Sequence, residues 1–280
     1  MPLNVQKVKR VIGAGVGGGK ITGQITTRAG VVGVGSEVGA DELFAAWVAG
    51  PAAKVPARSV KAGVQAVLFD LDGVLVDTAA FHYEAWKRLA EELGLRFDER
   101  MNHGFRGVGR MECLDKLLGV HAREVAGEEK RVLADRKNGY YLERVMTLRP
   151  ADLAPGARAL AMRLRASGIR MGLVSASRNA NLVVGLLGIT DWFEAIVDGD
   201  AVTKGKPDPQ GFLLAAKRLR VEADQCVVIE DAEAGIKAGH AAEMTCIGIG
   251  DHATGADAGA KAVGELTVEG IERTWADGGN

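Results

Sequence analysis

Val64-Gln65-Ala66-Val67-Leu68-Phe69-Asp70-Leu71-Asp72-Gly73-Val74-Leu75-Val76-Asp77-Thr78 runs from a near-continuous apolar segment straight into two carboxylates one residue apart. An apolar run of this kind, without polar alternation, reads as a parallel strand covered on both faces. In an open α/β sheet, ligands gather beyond the carboxyl ends of the strands, so Asp70 and Asp72 are expected to face a crevice. Residues two apart on extended chain point the same way, which gives the two acids one site. Asp70 can then attack phosphorus while Asp72 exchanges a proton with the departing or entering oxygen. Like charges this close raise a carboxyl pKa, and a cation is needed to hold the nucleophile ionised. Mg2+ suits hard oxygen donors and tolerates a phosphate among them. Gly73 lets the chain turn sharply. A lone acid here would read as an ordinary turn residue, whereas the whole run from Phe69 to Thr78 does not.

Three later segments repeat the pattern of apolar run followed by polar cluster. Ile169 to Val174 leads into Ser175-Ala176-Ser177-Arg178-Asn179, whose hydroxyls, amides and following helix start can grip phosphate oxygens. Lys204-Gly205-Lys206-Pro207-Asp208-Pro209 offers cations in a turn stiffened by proline. Cys226 to Ile229 leads into Glu230-Asp231, a second acidic pair within reach of a metal. Singly, Ser175 reads as a helix cap, Lys206 as a solvated charge and Glu230-Asp231 as a capped turn. Four such clusters in one chain argue for one site.

With Asp70-Leu71-Asp72, Ser175, Lys206 and Glu230-Asp231 in this order, the chain from about residue 64 onward resembles the haloacid dehalogenase superfamily. Within it, Asp77 to Lys87, Arg106-Gly107-Val108-Gly109-Arg110, Arg136-Lys137-Asn138 and Ser175 to Asn179 are similar to the β-phosphoglucomutases. The resemblance implies an aspartyl-phosphate mechanism in which Asp70 is the nucleophile, Asp72 the general acid/base, and Ser175 and Lys206 the holders of the transferring oxygens. It assigns the metal to Asp70, Asp72, Glu230 and Asp231. Thr78 is expected at a hinge, tuning Asp72, and His82 with Lys137 is expected to relay the state of the sugar hydroxyl. Arg106, Gly107, Arg110, Ser177, Arg178 and Asn179 would hold the distal phosphate. Arg106 and Arg178 stand where lysine is common in that subfamily, and Gly109 where a hydroxyl residue is, which bears on sugar preference.

Strands expected at 64–70, 169–175, 194–198, 226–230 and 245–249 alternate with helices, giving an α/β class with a doubly wound, Rossmann-like parallel sheet. About 70 mostly helical residues separate the first two strands, too many for an ordinary crossover. They predict a helical cap at 80–149 inserted into a core of 63–79 and 150–280. The first cap helix, about Ala80 to Leu93, should bury Phe81, Ala85, Trp86, Leu89 and Leu93, pair Glu84 with Arg88 and Lys87 with Glu91 outside, and stop at Gly94. Trp86 reads as packing.

Residues 1–62 are rich in Gly and Ala and lie outside the resemblance. They are expected to be a poorly ordered extension, or one not natively made if translation starts near residues 55 to 64. A short helix is expected over 41–49. Gly13-Ala14-Gly15-Val16-Gly17-Gly18 matches the dinucleotide fingerprint formally, but Ile21 to Thr27 is a poor helix start, and no nucleotide site is assigned.

A net charge of -1 over 280 residues gives no general attraction to nucleic acid or to an anionic membrane. No apolar run is long enough to span a bilayer and no targeting signal is read. Cys113, Cys226 and Cys246 form neither a metal spacing nor an even disulfide set, as expected of a reduced, cytoplasmic protein. The expected activity is Mg2+-dependent interconversion of β-D-glucose 1-phosphate and glucose 6-phosphate through a bisphosphate, by a monomer whose partner is a small sugar phosphate. The alternative is a sugar-phosphate phosphatase using the same aspartate. A non-catalytic sugar-phosphate-binding regulator is the third reading, disfavoured because a binding module has no need of a nucleophile.

Overall fold

The computed structural model describes residues 21–27, 30–38 and 63–278. The chain divides into two compact units, residues 1–61 and 62–280. In the first, β1 (Ile21–Thr27) and β2 (Gly30–Val38) pair as an antiparallel hairpin, with Thr27 opposite Gly30. The helix expected over 41–49 and the glycine-rich stretch at 13–18 lie outside the described residues.

The second unit is built on six strands: β3 (Ala66–Phe69), β4 (Arg170–Val174), β5 (Ala195–Val197), β6 (Cys226–Glu230), β7 (Thr245–Ile249) and β8 (Ala258–Ala260). Their order is β5-β4-β3-β6-β7-β8, and every neighbouring pair is parallel. The chain runs outward from β3 in both directions, so the carboxyl ends of β3, β4 and β6 flank the switch point of the sheet. Five of the strands fall within the segments the sequence indicated. The edge strand β8, only three residues long, is additional.

The pleat sorts the side chains of β3 into two layers. Val67 and Phe69 enter one core with Leu160, Leu164, Val183 and Ile271 from α5 (Ala157–Ala166), α6 (Ala180–Leu186) and α9 (Val268–Gly278). Ala66 and Leu68 enter the other with Phe212, Leu219 and Ile236 from α7 (Gln210–Leu219) and α8 (Glu233–Ala241). Burial on both faces explains why the strands read as unbroken apolar runs.

Between β3 and β4 lie α1 (Ala79–Glu92), α2 (Glu99–His103), α3 (Arg110–Val120) and α4 (Gly127–Val145). Trp86, Leu89, Phe97, Phe105, Leu114 and Leu117 give these helices an apolar cluster of their own. Along α1, Ala85, Trp86 and Leu89 are buried, whereas Phe81 and Leu93 are only partly covered. Lys87 pairs with Glu91 at 4.0 Å, but Glu84 meets Arg144 of α4 at 3.1 Å instead of Arg88. Gly94, at φ +68°, ends the helix in the left-handed conformation that costs glycine little. The outgoing and returning chains meet where Val76 bridges Leu153 antiparallel and Ala154 N–H donates to Leu75 O at 2.8 Å.

Candidate active site

Asp70 follows β3 directly, Ser175 follows β4 and Glu230 is the last residue of β6, so the sheet brings three of the sequence motifs to one edge. The fourth arrives from the loop after β5. Lys206 Nζ, 5% exposed, donates to Asp70 Oδ1 at 2.5 Å, Glu230 Oε1 at 2.5 Å and Val174 O at 3.0 Å. Burial works against the Lys206 charge, but Asp70 and Glu230 outweigh it and raise its pKa. The other oxygen of Glu230 accepts from the N–H groups of Asp231 and Ala232, at 2.8 and 2.9 Å. Both oxygens of Glu230 are therefore already engaged.

Carboxylate oxygens of Asp70, Glu230 and Asp231 lie within 4.8 Å of one another, all three buried. Burial pushes the Asp70 carboxyl well above its ordinary range, with Lys206 opposing and Glu230, Asp231 and Asp72 adding to the rise. Asp231 is pushed up to about 7 by burial and then by Glu230, with Arg106 opposing. Three crowded acids whose ionised forms are penalised, all offering hard oxygen donors, fit a small divalent cation. Gly73 shapes this corner: at φ +92° it turns the chain, and a Cβ there would stand 2.2 Å from Asp231 Oδ2.

Thr78 stands at the N-cap of α1 yet makes no side-chain cap. Its hydroxyl donates instead to Asp72 Oδ1 in a short hydrogen bond. Burial raises the Asp72 pKa and the Thr78 bond pulls it back. From the helical insertion, Lys137 Nζ lies 2.9 Å from His82 Nδ1 and 4.9 Å from the centroid of the Trp86 ring. Burial, and then the neighbouring Lys137 and Arg110 charges, hold His82 well below its ordinary pKa. Burial brings Lys137 down to about 7.

Asp70, Asp72 and Asp231 share a pocket of about 840 Å3, counting its open mouth, with His82, Lys137, Arg106, Gly107, Arg110, Ser177, Arg178 and Asn179. Behind its wall stand Thr78 against Asp72, Lys206 against Asp70, and Ser175, whose Oγ accepts from Ser177 N–H at 3.0 Å. The structure thus gathers the residues assigned from sequence to catalysis, phosphate binding and metal, with Glu230 joined through Lys206, whereas Lys204 lies exposed and pairs with Asp208 at 3.6 Å. Arg110 and Arg178 both line the pocket, Arg110 Nη1 3.8 Å from Asp135 Oδ1 and Arg178 Nε 3.1 Å from Asp200 Oδ1; burial, and then the like charge of Arg178, lower the Arg110 pKa. Arg106 is placed differently from the rest of its loop. It meets Asp231 Oδ2 at 3.2 Å instead of joining Arg110. Asn138, not assigned from sequence, ties insertion to core by accepting from Asn179 Nδ2 at 2.9 Å. Trp86, read as packing, is 2% exposed and also lines the pocket.

Comparison with known proteins agrees with this geometry. The family model for haloacid dehalogenase-like hydrolases matches residues 64–243. The β-phosphoglucomutase of Bacillus subtilis (strain 168) is 42% identical over 216 residues, covering 76% of this chain and 96% of that protein. The fructose-1-phosphate phosphatase of Escherichia coli (strain K12) is 30% identical over 190 residues, 65% of this chain and 95% of its own. The crystal structure of a β-phosphoglucomutase from Clostridium difficile superposes with a TM-score of 0.74 at 37% identity, over 76% of this chain and 98% of that one. Motifs, sheet order and relatives lead to one conclusion: the chain belongs to the haloacid dehalogenase-like hydrolase family.

Proposed function

We propose that the protein is a Mg2+-dependent phosphomutase that interconverts β-D-glucose 1-phosphate and glucose 6-phosphate through β-glucose 1,6-bisphosphate. The observation that carries this reading is that two guanidinium groups, Arg110 and Arg178, line the same pocket as Asp70. A phosphatase needs one phosphate site, whereas a bisphosphate intermediate needs two. The 42% identity to a protein named β-phosphoglucomutase supports the same choice.

Asp70 attacks the phosphorus of the bisphosphate, an Asp70 O–P bond forms, and the P–O bond to the sugar breaks. Asp72 gives its proton to the leaving sugar oxygen and takes one back when the other hydroxyl attacks in the reverse sense. Lys206 and Ser175 hold the oxygens of the transferring group. When bound at Asp70, the Asp72 carbonyl, Asp231 and the adjoining Glu230, Mg2+ supplies charge neutralisation for the phosphoryl group and keeps Asp70 ionised. Arg110, Arg178, Ser177 and Asn179, with the Arg106–Gly107 loop, retain the distal phosphate while the sugar reverses. His82, held by Lys137, faces the sugar hydroxyls. The insertion at 80–149 acts as a cap that excludes water from the phosphoenzyme. All these residues come from one chain, so a monomer is sufficient.

The test is a paired assay with Mg2+, β-D-glucose 1-phosphate and a trace of β-glucose 1,6-bisphosphate, following glucose 6-phosphate and inorganic phosphate together. Isomer with little free phosphate is expected. Stoichiometric phosphate without isomer would make the protein a sugar-phosphate phosphatase.

A further inference from the structure

Among the described residues, three metal-ligating side chains also converge away from the catalytic acids. A ring nitrogen of His240, the sulfur of Cys246 and a carboxylate oxygen of Asp257 lie within 4.8 Å of one another. They come from three neighbouring elements: His240 is in the last turn of α8, Cys246 lies within β7 and Asp257 directly precedes β8. Cys246 is fully buried, whereas His240 and Asp257 are partly exposed and give the cluster a side open to solvent.

The backbone fixes this arrangement. Asp257 N–H donates to Cys246 O at 2.9 Å and Cys246 N–H donates to Asp257 Oδ2 at 2.7 Å. Gly239 lets α8 settle onto β7, since a Cβ there would stand 2.4 Å from Cys246 Sγ. The next residue, His240, then places Nε2 3.0 Å from Asp257 Oδ2. Two ligands on a tetrahedral ion with bonds of about 2.0 Å stand about 3.3 Å apart, so this pair needs little movement to admit one. The thiol donates weakly, to Met244 O at 3.5 Å and Ile236 O at 3.7 Å, which leaves the sulfur lone pairs free. An ion pair accounts for His240 and Asp257, but not for the sulfur beside them. The element they hold needs an anchor: β8 is Ala258-Gly259-Ala260, at the open edge of the sheet, with no large side chain to bury.

We propose that His240, Cys246 and Asp257 form a second metal site, for Zn2+ or a cation of similar softness, with solvent completing the tetrahedron, and that the ion pins α8 and β8 to β7. Sulfur and imidazole select such an ion, whereas the oxygen donors of Asp70, Glu230 and Asp231 suit Mg2+. The thiol proton passes to solvent as the sulfur–metal bond forms. The site is structural, and holds whether the phosphoryl acceptor is a sugar or water.

The probe is Co2+, added to the full-length protein with Mg2+ in large excess to occupy the catalytic acids. One equivalent is expected to give a sulfur-to-cobalt charge-transfer band, which Zn2+ abolishes by displacement. The band should survive Cys113→Ala and Cys226→Ala and vanish in Cys246→Ala. His240→Gln lies at the surface and remains informative if Cys246→Ala fails to fold; it should weaken Co2+ binding at least about tenfold. Zn2+ should raise the melting temperature of the parent and that of His240→Gln much less. Absence of the band in the parent would overturn the proposal, as would a band that persists in Cys246→Ala or an affinity unchanged in His240→Gln. So would a band lost in Cys113→Ala, whose sulfur lines the catalytic pocket.

Discussion

Arg106 Nη1 lies 3.2 Å from Asp231 Oδ2, joining the loop before α3 to the end of β6. The guanidinium thus supplies positive charge to a carboxylate that the proposed Mg2+ also needs. The two compete for one oxygen. Arg106→Gln is expected to tighten Mg2+ binding several-fold in the absence of substrate, measured by titration calorimetry. Weaker or unchanged binding would show that the pair does not oppose the metal.

Asp70→Asn should abolish the phosphoenzyme and lower turnover by a factor on the order of 10³ or more. Asp72→Ala should leave Mg2+ affinity nearly unchanged while slowing both half-reactions. Single-turnover measurement of the acid-labile phosphoenzyme separates the two roles, and a labelled intermediate in Asp70→Asn would refute the assignment.

Arg110→Ala should reduce isomerisation by at least about tenfold more than hydrolysis of a small aryl phosphate, which has no distal phosphate to hold. Equal losses in both assays would remove Arg110 from a second phosphate site.

Gly73→Ala should lower both stability and Mg2+ affinity. Its φ of +92° is unfavourable for alanine, and the added Cβ would stand 2.2 Å from Asp231 Oδ2. Thermal melts with and without Mg2+ provide the check: the parent should gain stability from the ion and the variant much less.

Lys137 gives a pH prediction. Its pKa falls to about 7 on burial, against an ordinary value of 10.5. Between these limits the unfolded chain holds the proton and the folded one does not, so this group makes stability rise with pH across that window. Below about 7 both states are protonated and the whole penalty of burying the ammonium remains. Lys137→Met should therefore melt higher than the parent near pH 6, with the advantage gone by about pH 10. Melting curves that differ by a constant amount across this range would contradict the buried-ammonium picture.

The catalytic edge was legible because chemistry and fold share a signal there: a doubly covered strand must be apolar, and polarity can resume only where the strand leaves the sheet. Strand β8 carries no such signal, since Ala258, Gly259 and Ala260 lie at the sheet edge and are not fully buried. On α1 the helical period identified Ala85, Trp86 and Leu89, but periodicity could not show that α4 would supply Arg144 to Glu84. The displacement of Arg106 onto Asp231 was equally hidden, because its partner lies 125 residues away.

The bridge between Val76 and Leu153 means that the chain leaves the sheet unit and returns to it at one point. A segment tethered side by side at both ends can be lengthened, trimmed or exchanged without displacing β3 or β4. Selection can thus revise what the pocket admits while Asp70, Lys206 and Glu230 stay in place. Part of the choice of what the reactive machinery acts upon is thus separable from it in inheritance, the remainder staying with Ser177, Arg178 and Asn179 beside β4.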